Sequence, residues 1–223
     1  MRALQVVVLL GAALQAQPVA EPPTLLPAVA TTQLATSLAV ASAQRRHVWR
    51  DTPPLEGDYV RAYIEIGRGD RRKWEFDMRA NRRAIDRIMP DSLGGYPVNY
   101  GFVPQTVSYD GDPFDVLVLG PPIEGGSIVS GVIVGLMHME DEKGLDSKVV
   151  ISRVDARGQP LHALTVADRE RIAGYFRVYK THEADKFSAV PGWGSVAEGR
   201  AFVDVTHRFF KECRGKSGLP CRL

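Results

Sequence analysis

The chain has 223 residues, 28 basic and 26 acidic, a formal charge of +2, and 44% hydrophobic and 24% charged side chains. That length suits one domain or two, and the composition excludes collagen-like, coiled-coil and wholly disordered classes. A charge so near zero does not by itself argue for nucleic acid as a partner. The average conceals a split, because only Arg2 and Glu21 are charged within residues 1–44, where 11 residues are Ala. Gln5 to Leu14 (QVVVLLGAAL) is an apolar run of signal-peptide length, and Leu14-Gln15-Ala16 offers small residues for cleavage. A second run, Leu34 to Ala43, ends in Ala41-Ser42-Ala43, a better match to the A-x-A pattern. Neither approaches the roughly 20 apolar residues of a membrane span. The expectation is an export leader over 1–44, with the periplasm or exterior as destination and a cytoplasmic or organellar location as the alternative.

The body begins near Arg45. Tyr59 to Ile66 alternates, with Val60, Ala62, Ile64 and Ile66 on one face, which is the period of a strand. Trp74 to Met78 alternates likewise, and Asp115 to Leu119, Ile128 to Met139 and Lys148 to Val154 are further β-rich stretches. Helix signals come late. Thr165 with Asp168 resembles a capping box ahead of Ile172, Tyr175, Phe176 and Tyr179, and Ser195 with Glu198 forms another ahead of Phe202, Val205 and Phe209. The reading is one mainly β (α+β) domain over 45–212 with about two helices packed on it. A tail, 213–223, holds Cys213 and Cys221, which in an exported protein could close a small disulfide loop and in a reducing compartment would be two idle thiols.

The most informative stretch is Tyr109-Asp110-Gly111-Asp112-Pro113-Phe114-Asp115-Val116. Three carboxylates fall within six residues before an apolar strand, and Gly111 and Pro113 shape a turn that lets them converge. Like charges this close repel unless a cation neutralises them. Oxygen-only ligands favour Mg²⁺, Mn²⁺ or Ca²⁺ over zinc. An EF-hand loop does not fit: residue 114, where Asp or Asn is wanted, is Phe, and residue 115, where Gly is needed, is Asp. A second acidic group, Glu140-Asp141-Glu142 with Asp146, ends another β-rich stretch. Carboxylates this numerous suit several metal ions, and adjacent metal ions suit phosphate-ester or anhydride chemistry.

A polyanionic substrate also needs donors, and Lys73 beside Glu75, Arg87, Tyr96, Tyr100, Lys148, Tyr179-Lys180 and Lys186 supply them. Taken singly, lysines and arginines are ordinarily solvated and a tyrosine on a helical stripe is ordinarily core. The five histidines show no ligand spacing, and no P-loop, G-x-S-x-G or G-x-G-x-x-G motif occurs.

The run Asp110 to Val116 (DGDPFDV) resembles the signature of the soluble family I inorganic pyrophosphatases. Glu65-Ile66, Lys73-x-Glu75 and Asp86-Arg87 resemble the family's earlier segments, and Tyr96-Pro97-x-Asn99-Tyr100-Gly101-Phe102 the one just before the aspartates. Met139-x-Asp141-Glu142-x-Gly144-x-Asp146-x-Lys148 resembles the next, and Tyr179-Lys180, Lys186 and Gly192-Trp193 the last, all in the family's order. The resemblance implies an OB-type five-stranded β-barrel with flanking helices and hydrolysis of pyrophosphate to two phosphates. It implies several Mg²⁺ per site, with Mn²⁺ as a substitute, and a homohexamer. By motif position, Asp110, Asp115 and Asp146 would hold the principal metal, Asp115 would bridge to a second, and Asp141 would bind further ions. Asp112 would accept the proton of the attacking water. Lys73, Arg87, Tyr100, Tyr179 and Lys180 would bind phosphate, and Glu65, Glu75, Tyr96, Lys148 and Lys186 would support the site. The interval from Glu65 to Lys73 is one residue shorter than the pattern, and the leader and tail lie outside it. A noncatalytic OB-type module for single-stranded nucleic acid is the rival from another class. The aspartates count against it, since strand-binding grooves use aromatic platforms between basic residues.

Overall fold

A computed structural model describes residues 46–213. The expected leader, its cleavage positions and Cys221 with the expected disulfide lie outside the described residues. Short helix α1 (Val48–Asp51) and strand β1 (Leu55–Glu56) lead into β2 (Tyr59–Ile66). The hairpin β3 (Arg72–Asp77) and β4 (Arg82–Ile88) follows, then β5 (Asn99–Phe102) and β6 (Asp115–Leu119). Next come β7 (Ile128–Asp141), β8 (Gly144–Leu145), β9 (Lys148–Ser152), α2 (Val166–Val178), β10 (Ser188–Gly194) and α3 (Val196–Cys213).

Strand β2 pairs with β5, β5 with β6, β6 with β9, β9 with β7, and β7 with β2 again. That ring is a closed five-stranded barrel. Only the β6–β9 pair is parallel, with Val116 opposite Val149. The architecture is the OB type that the resemblance implies. β1, β8 and β10 extend the sheet outside the ring, and β3–β4 forms a separate two-stranded sheet.

Strands buried on both faces read as continuous apolar runs. In β6, Val116 and Val118 join one buried cluster while Leu117 and Leu119 join another. Val60, Ala62 and Ile64 of β2 are fully buried with the first cluster, as the alternation predicts, but Ile66 joins the second, where the pairing with β5 shifts register between Ile64 and Ile66. The second cluster takes in Ile172, Tyr175, Phe176 and Tyr179 from the stripe of α2.

Both capping boxes form. Thr165 Oγ1 accepts from the Asp168 N–H at 3.1 Å, and Ser195 Oγ accepts from the Glu198 N–H at 3.2 Å. The buried line of α3 differs from the expected one. Gly199, Val203, Thr206 and Phe210 face inward, whereas Phe202, Val205 and Phe209 are half-buried at its flank. Gly199 causes the rotation: its missing side chain lets the helix approach β7, where a Cβ would stand 2.9 Å from Ile133 and 3.1 Å from the Gly135 carbonyl. The alternating segment Trp74–Met78 is part of the β3–β4 hairpin, so it lies outside the barrel. The strand expected over Lys148–Val154 stops at Ser152, and Val154 makes only an isolated bridge to Pro160. Among the described residues no helix is long and apolar enough to cross a membrane.

Candidate active site

The acidic turn lies between β5 and β6. Gly111 adopts a φ of 90°, which a side chain would resist, and the Ser108 N–H donates to the Asp112 carbonyl at 2.6 Å. Asp112 N–H donates to Asp110 Oδ1 at 3.1 Å, fixing the loop. Asp115 then opens β6. Because β6, β9 and β7 are neighbours, their ends also deliver Lys148 and Asp141 to the same place, and Asp146 arrives from the turn before β9.

The β3–β4 hairpin docks onto β2 through Glu65. Glu65 accepts the Phe76 N–H at 2.7 Å, and its own carbonyl accepts from Arg83, whose guanidinium lies 4.1 Å from the Trp74 ring centre. This anchorage brings Lys73, Glu75 and Arg87 to the site despite the short Glu65–Lys73 interval. On the other side, the aromatic face of α2 packs on the segment holding Tyr96 and Tyr100. Tyr175 is 5.1 Å from Tyr96 and Phe176 6.2 Å from Tyr100, ring centre to ring centre. Tyr179 and Lys180 therefore emerge from the end of α2 into the site.

The result is one cleft of about 480 Å³, lined by every expected site residue except Lys148. Lys148 lies beneath it, 1% exposed, with its Nζ donating to Asp115 at 2.5 Å and Asp146 at 2.8 Å. Tyr100 donates its hydroxyl to Asp115 at 2.7 Å. Lys180, also buried, donates to Asp141 at 2.5 Å and to Glu142 at 3.1 Å. Lys73 pairs with Glu75 and, at 3.1 Å, with Asp86. Arg87 and Lys186 both hold Glu183, at 2.7 and 2.6 Å. Lys143 Nζ stands 3.2 Å from Asp112 and 3.9 Å from Asp110.

Asp86 stands in the Asp86-Arg87 motif without a role assigned to it, and neither Lys143 nor Glu183 stands out in the sequence. Glu183 stands three residues before Lys186, a spacing that signals a pair. Lys143 lies within an acidic turn, where an ammonium has carboxylates on either side. Burial of Lys148 and Lys180 carries no local signal, since a lysine at a strand or helix end is ordinarily solvated.

Charge in the cleft is only partly balanced. Burial, with Asp115 adding repulsion, pushes the Glu65 carboxyl up to about 8. Burial and the neighbouring Asp112 push Asp110 to about 6. Burial carries Asp146 to about 7 even against the Lys148 ammonium. Burial opposes ionisation of Asp141 too, but the hydrogen bonds from Lys180 and the Lys143 N–H outweigh it and hold its carboxyl below the usual range. Burial raises Tyr96, Tyr100 and Tyr179, so their hydroxyls stay protonated donors at neutral pH.

Among the described residues no group of three or more Asp, Glu, His or Cys is drawn together as a metal cage. Lysine ammoniums meet Asp112, Asp115, Asp141 and Asp146 instead. The donor set nonetheless fits a hard divalent cation, because the aspartates that line the cleft offer only oxygen ligands.

The raised carboxyls of Glu65, Asp110 and Asp146 have a measurable consequence. A carboxyl whose folded pKa lies above its unfolded value contributes stability that is present below the unfolded value and lost as pH climbs through the folded one. In EDTA, stability should therefore fall as pH rises from about 4.5 to about 8 through Asp110, Asp146 and Glu65. Denaturation midpoints across this range should show the decline, and Glu65→Gln should flatten its upper part. An unchanged slope above pH 7 in Glu65→Gln would contradict the assignment.

Residues 62–211 match the sequence model of the family described as inorganic pyrophosphatase. An inorganic pyrophosphatase of Saccharolobus solfataricus is 37% identical over 150 residues, covering 64% of this chain and 87% of that protein. One of Rickettsia typhi is 41% identical over 138 residues, covering 59% and 77%. Among solved structures, the inorganic pyrophosphatase of Thermus thermophilus superposes with a TM-score of 0.68 at 31% identity, over 74% of this chain and 99% of that one. That of Coxiella burnetii superposes with a TM-score of 0.66 at 34% identity, over 71% and 99%. With the barrel, the shared cleft and the ordered motifs in agreement, the chain belongs to the inorganic pyrophosphatase family.

Proposed function

We propose that the chain hydrolyses inorganic pyrophosphate to two phosphates with Mg²⁺ as its metal. The observation that carries this reading is the gathering of six aspartates, five cationic side chains and three protonated tyrosines around one cleft of about 480 Å³. Asp110, Asp115 and Asp146 would hold the principal ion, Asp115 a second as well, and Asp141 would bind further ions. Mn²⁺ would substitute. When bound, the ions supply charge neutralisation and electrophilic activation.

The chain's own residues do the rest. Asp112, open to the cleft at the tip of the acidic turn, accepts the proton of the attacking water. That water's oxygen bonds to one phosphorus as the bridging P–O bond breaks and the second phosphate leaves. Lys73, Arg87 and Lys180 neutralise charge that grows on the leaving phosphate. Tyr100 and Tyr179 donate hydrogen bonds without adding charge. Glu65 anchors the hairpin that carries Lys73, Glu75 and Arg87, and Tyr96 packs beneath Tyr175 of α2. Lys148 holds Asp115 and Asp146 together, and Lys186 holds Glu183 beside Arg87.

Assembly as a homohexamer rests on family resemblance, and export rests on the apolar run from Gln5 to Leu14. The aspartate lining favours no nucleic-acid strand in this cleft. A panel of pyrophosphate, polyphosphate and nucleotides, each with Mg²⁺, tests the substrate. Phosphate release is expected to be fastest by far from pyrophosphate. Faster release from a nucleotide or polyphosphate would transfer the chemistry to that substrate instead.

A further inference from the structure

Besides Lys73, which pairs with Glu75 and Asp86, three lysines face the aspartates of the cleft, and they are not alike. The side chains of Lys148 and Lys180 are 1% and 9% exposed, locked between carboxylates as parts of the folded core. The Lys143 side chain is 56% exposed and reaches the acidic turn from solvent. Its origin is rigid. Asp141 and Gly144 pair across the β7–β8 turn, Gly144 has a φ of 111°, and Asp141 Oδ1 accepts the Lys143 N–H at 2.7 Å. From there the ammonium crosses the cleft to Asp112 and Asp110, on a loop that Ser108 and the Asp110 side chain hold in place.

We infer that Lys143 is a displaceable resident cation beside Asp110 and Asp112, holding the place of a divalent ion at Asp110 until the metal arrives. The inference rests on the proposed reading of Asp110 as a metal ligand. Two carboxylates on one tight turn repel, and the ammonium relieves that repulsion in the metal-free cleft. A divalent ion and the ammonium cannot both profit fully from Asp110, so the ion must push Lys143 aside. The exposure of Lys143 makes this displacement easy, because its ammonium regains water as it leaves. Lys148 and Lys180 have no such exit. The metal requirement of this chain is thus raised by the charge at residue 143.

The test is a Mn²⁺ titration of the full chain without substrate at pH 7, reading free Mn²⁺ by its electron paramagnetic resonance. Lys143→Gln should bind its first Mn²⁺ about two- to fivefold more tightly than the wild type, the scale of one partly exposed ion pair. Lys143→Arg keeps the charge and should match the wild type. Unchanged or weaker binding by Lys143→Gln, or tighter binding by Lys143→Arg as well, would overturn the inference while leaving the hydrolase reading standing. A folded wild type that binds no Mn²⁺ at all would overturn both.

Discussion

Asp112→Asn should slow pyrophosphate turnover by a factor on the order of 10² to 10⁴ while leaving Mn²⁺ binding largely intact. An amide keeps the shape and the acceptor oxygen of the carboxylate but takes up a proton poorly. The substitution therefore removes the proton acceptor and little else. Asp112 is suited to this contrast by its place: its N–H and carbonyl lock the acidic turn, while its side chain projects into the cleft toward Lys143. The folded loop should survive, because the backbone makes those contacts. Turnover within a few-fold of the wild type would reject Asp112 as the proton acceptor. A matching loss of Mn²⁺ binding would make it a ligand instead.

The second large effect concerns stability. Lys148→Met should destabilise the metal-free protein by about 3–5 kcal/mol, the cost of stripping the partner from buried charge. Lys148 is 1% exposed and joins Asp115 to Asp146; burial works against its ammonium, but those two carboxylates outweigh it and hold the ammonium protonated far above the usual lysine range. Methionine fills the same channel without charge, so the loss measures electrostatics more than packing. Mg²⁺ should restore more stability to the variant than to the wild type, since the ion would supply the missing positive charge. Chemical denaturation in EDTA and again with Mg²⁺ measures both. A metal-free variant as stable as the wild type would show that Lys148 does not hold this pair.

Local constraint decides what could be read in advance. The run DVLVL at 115–119 declares a strand buried on both faces, and the turn chemistry of Gly111 and Pro113 declares that the aspartates before it converge. Thr165–Asp168 and Ser195–Glu198 mark two helix starts because a capping box is written within four residues. Strand β4 was hidden: Arg82–Ile88 is mostly charged and largely exposed, and it is a strand only because it pairs with β3. Strand β10 was hidden by Pro191, Gly192 and Gly194. They are tolerated because β10 sits at the sheet edge, with a register shift between Ala189 and Gly192.

The site divides the same way. Its members could be named from ordered motifs, but their partners could not. That Lys148 lies under the floor, that Glu183 ties Arg87 to Lys186, and that Lys143 spans the cleft all depend on segments far apart in the chain. The helical face of α3 shows a subtler version. Periodicity marks Phe202, Val205 and Phe209, yet the helix turns Gly199 and Val203 toward the barrel, because a missing Cβ permits closer approach than a phenyl ring does.

The central claim is metal-dependent hydrolysis of pyrophosphate in this cleft. Phosphate release from pyrophosphate by the purified full chain, followed with Mg²⁺, after EDTA, and after Mg²⁺ is restored, tests it most directly. Rapid release that EDTA abolishes and Mg²⁺ recovers is the expected result. Folded, Mg²⁺-loaded protein that releases no phosphate from pyrophosphate would contradict it.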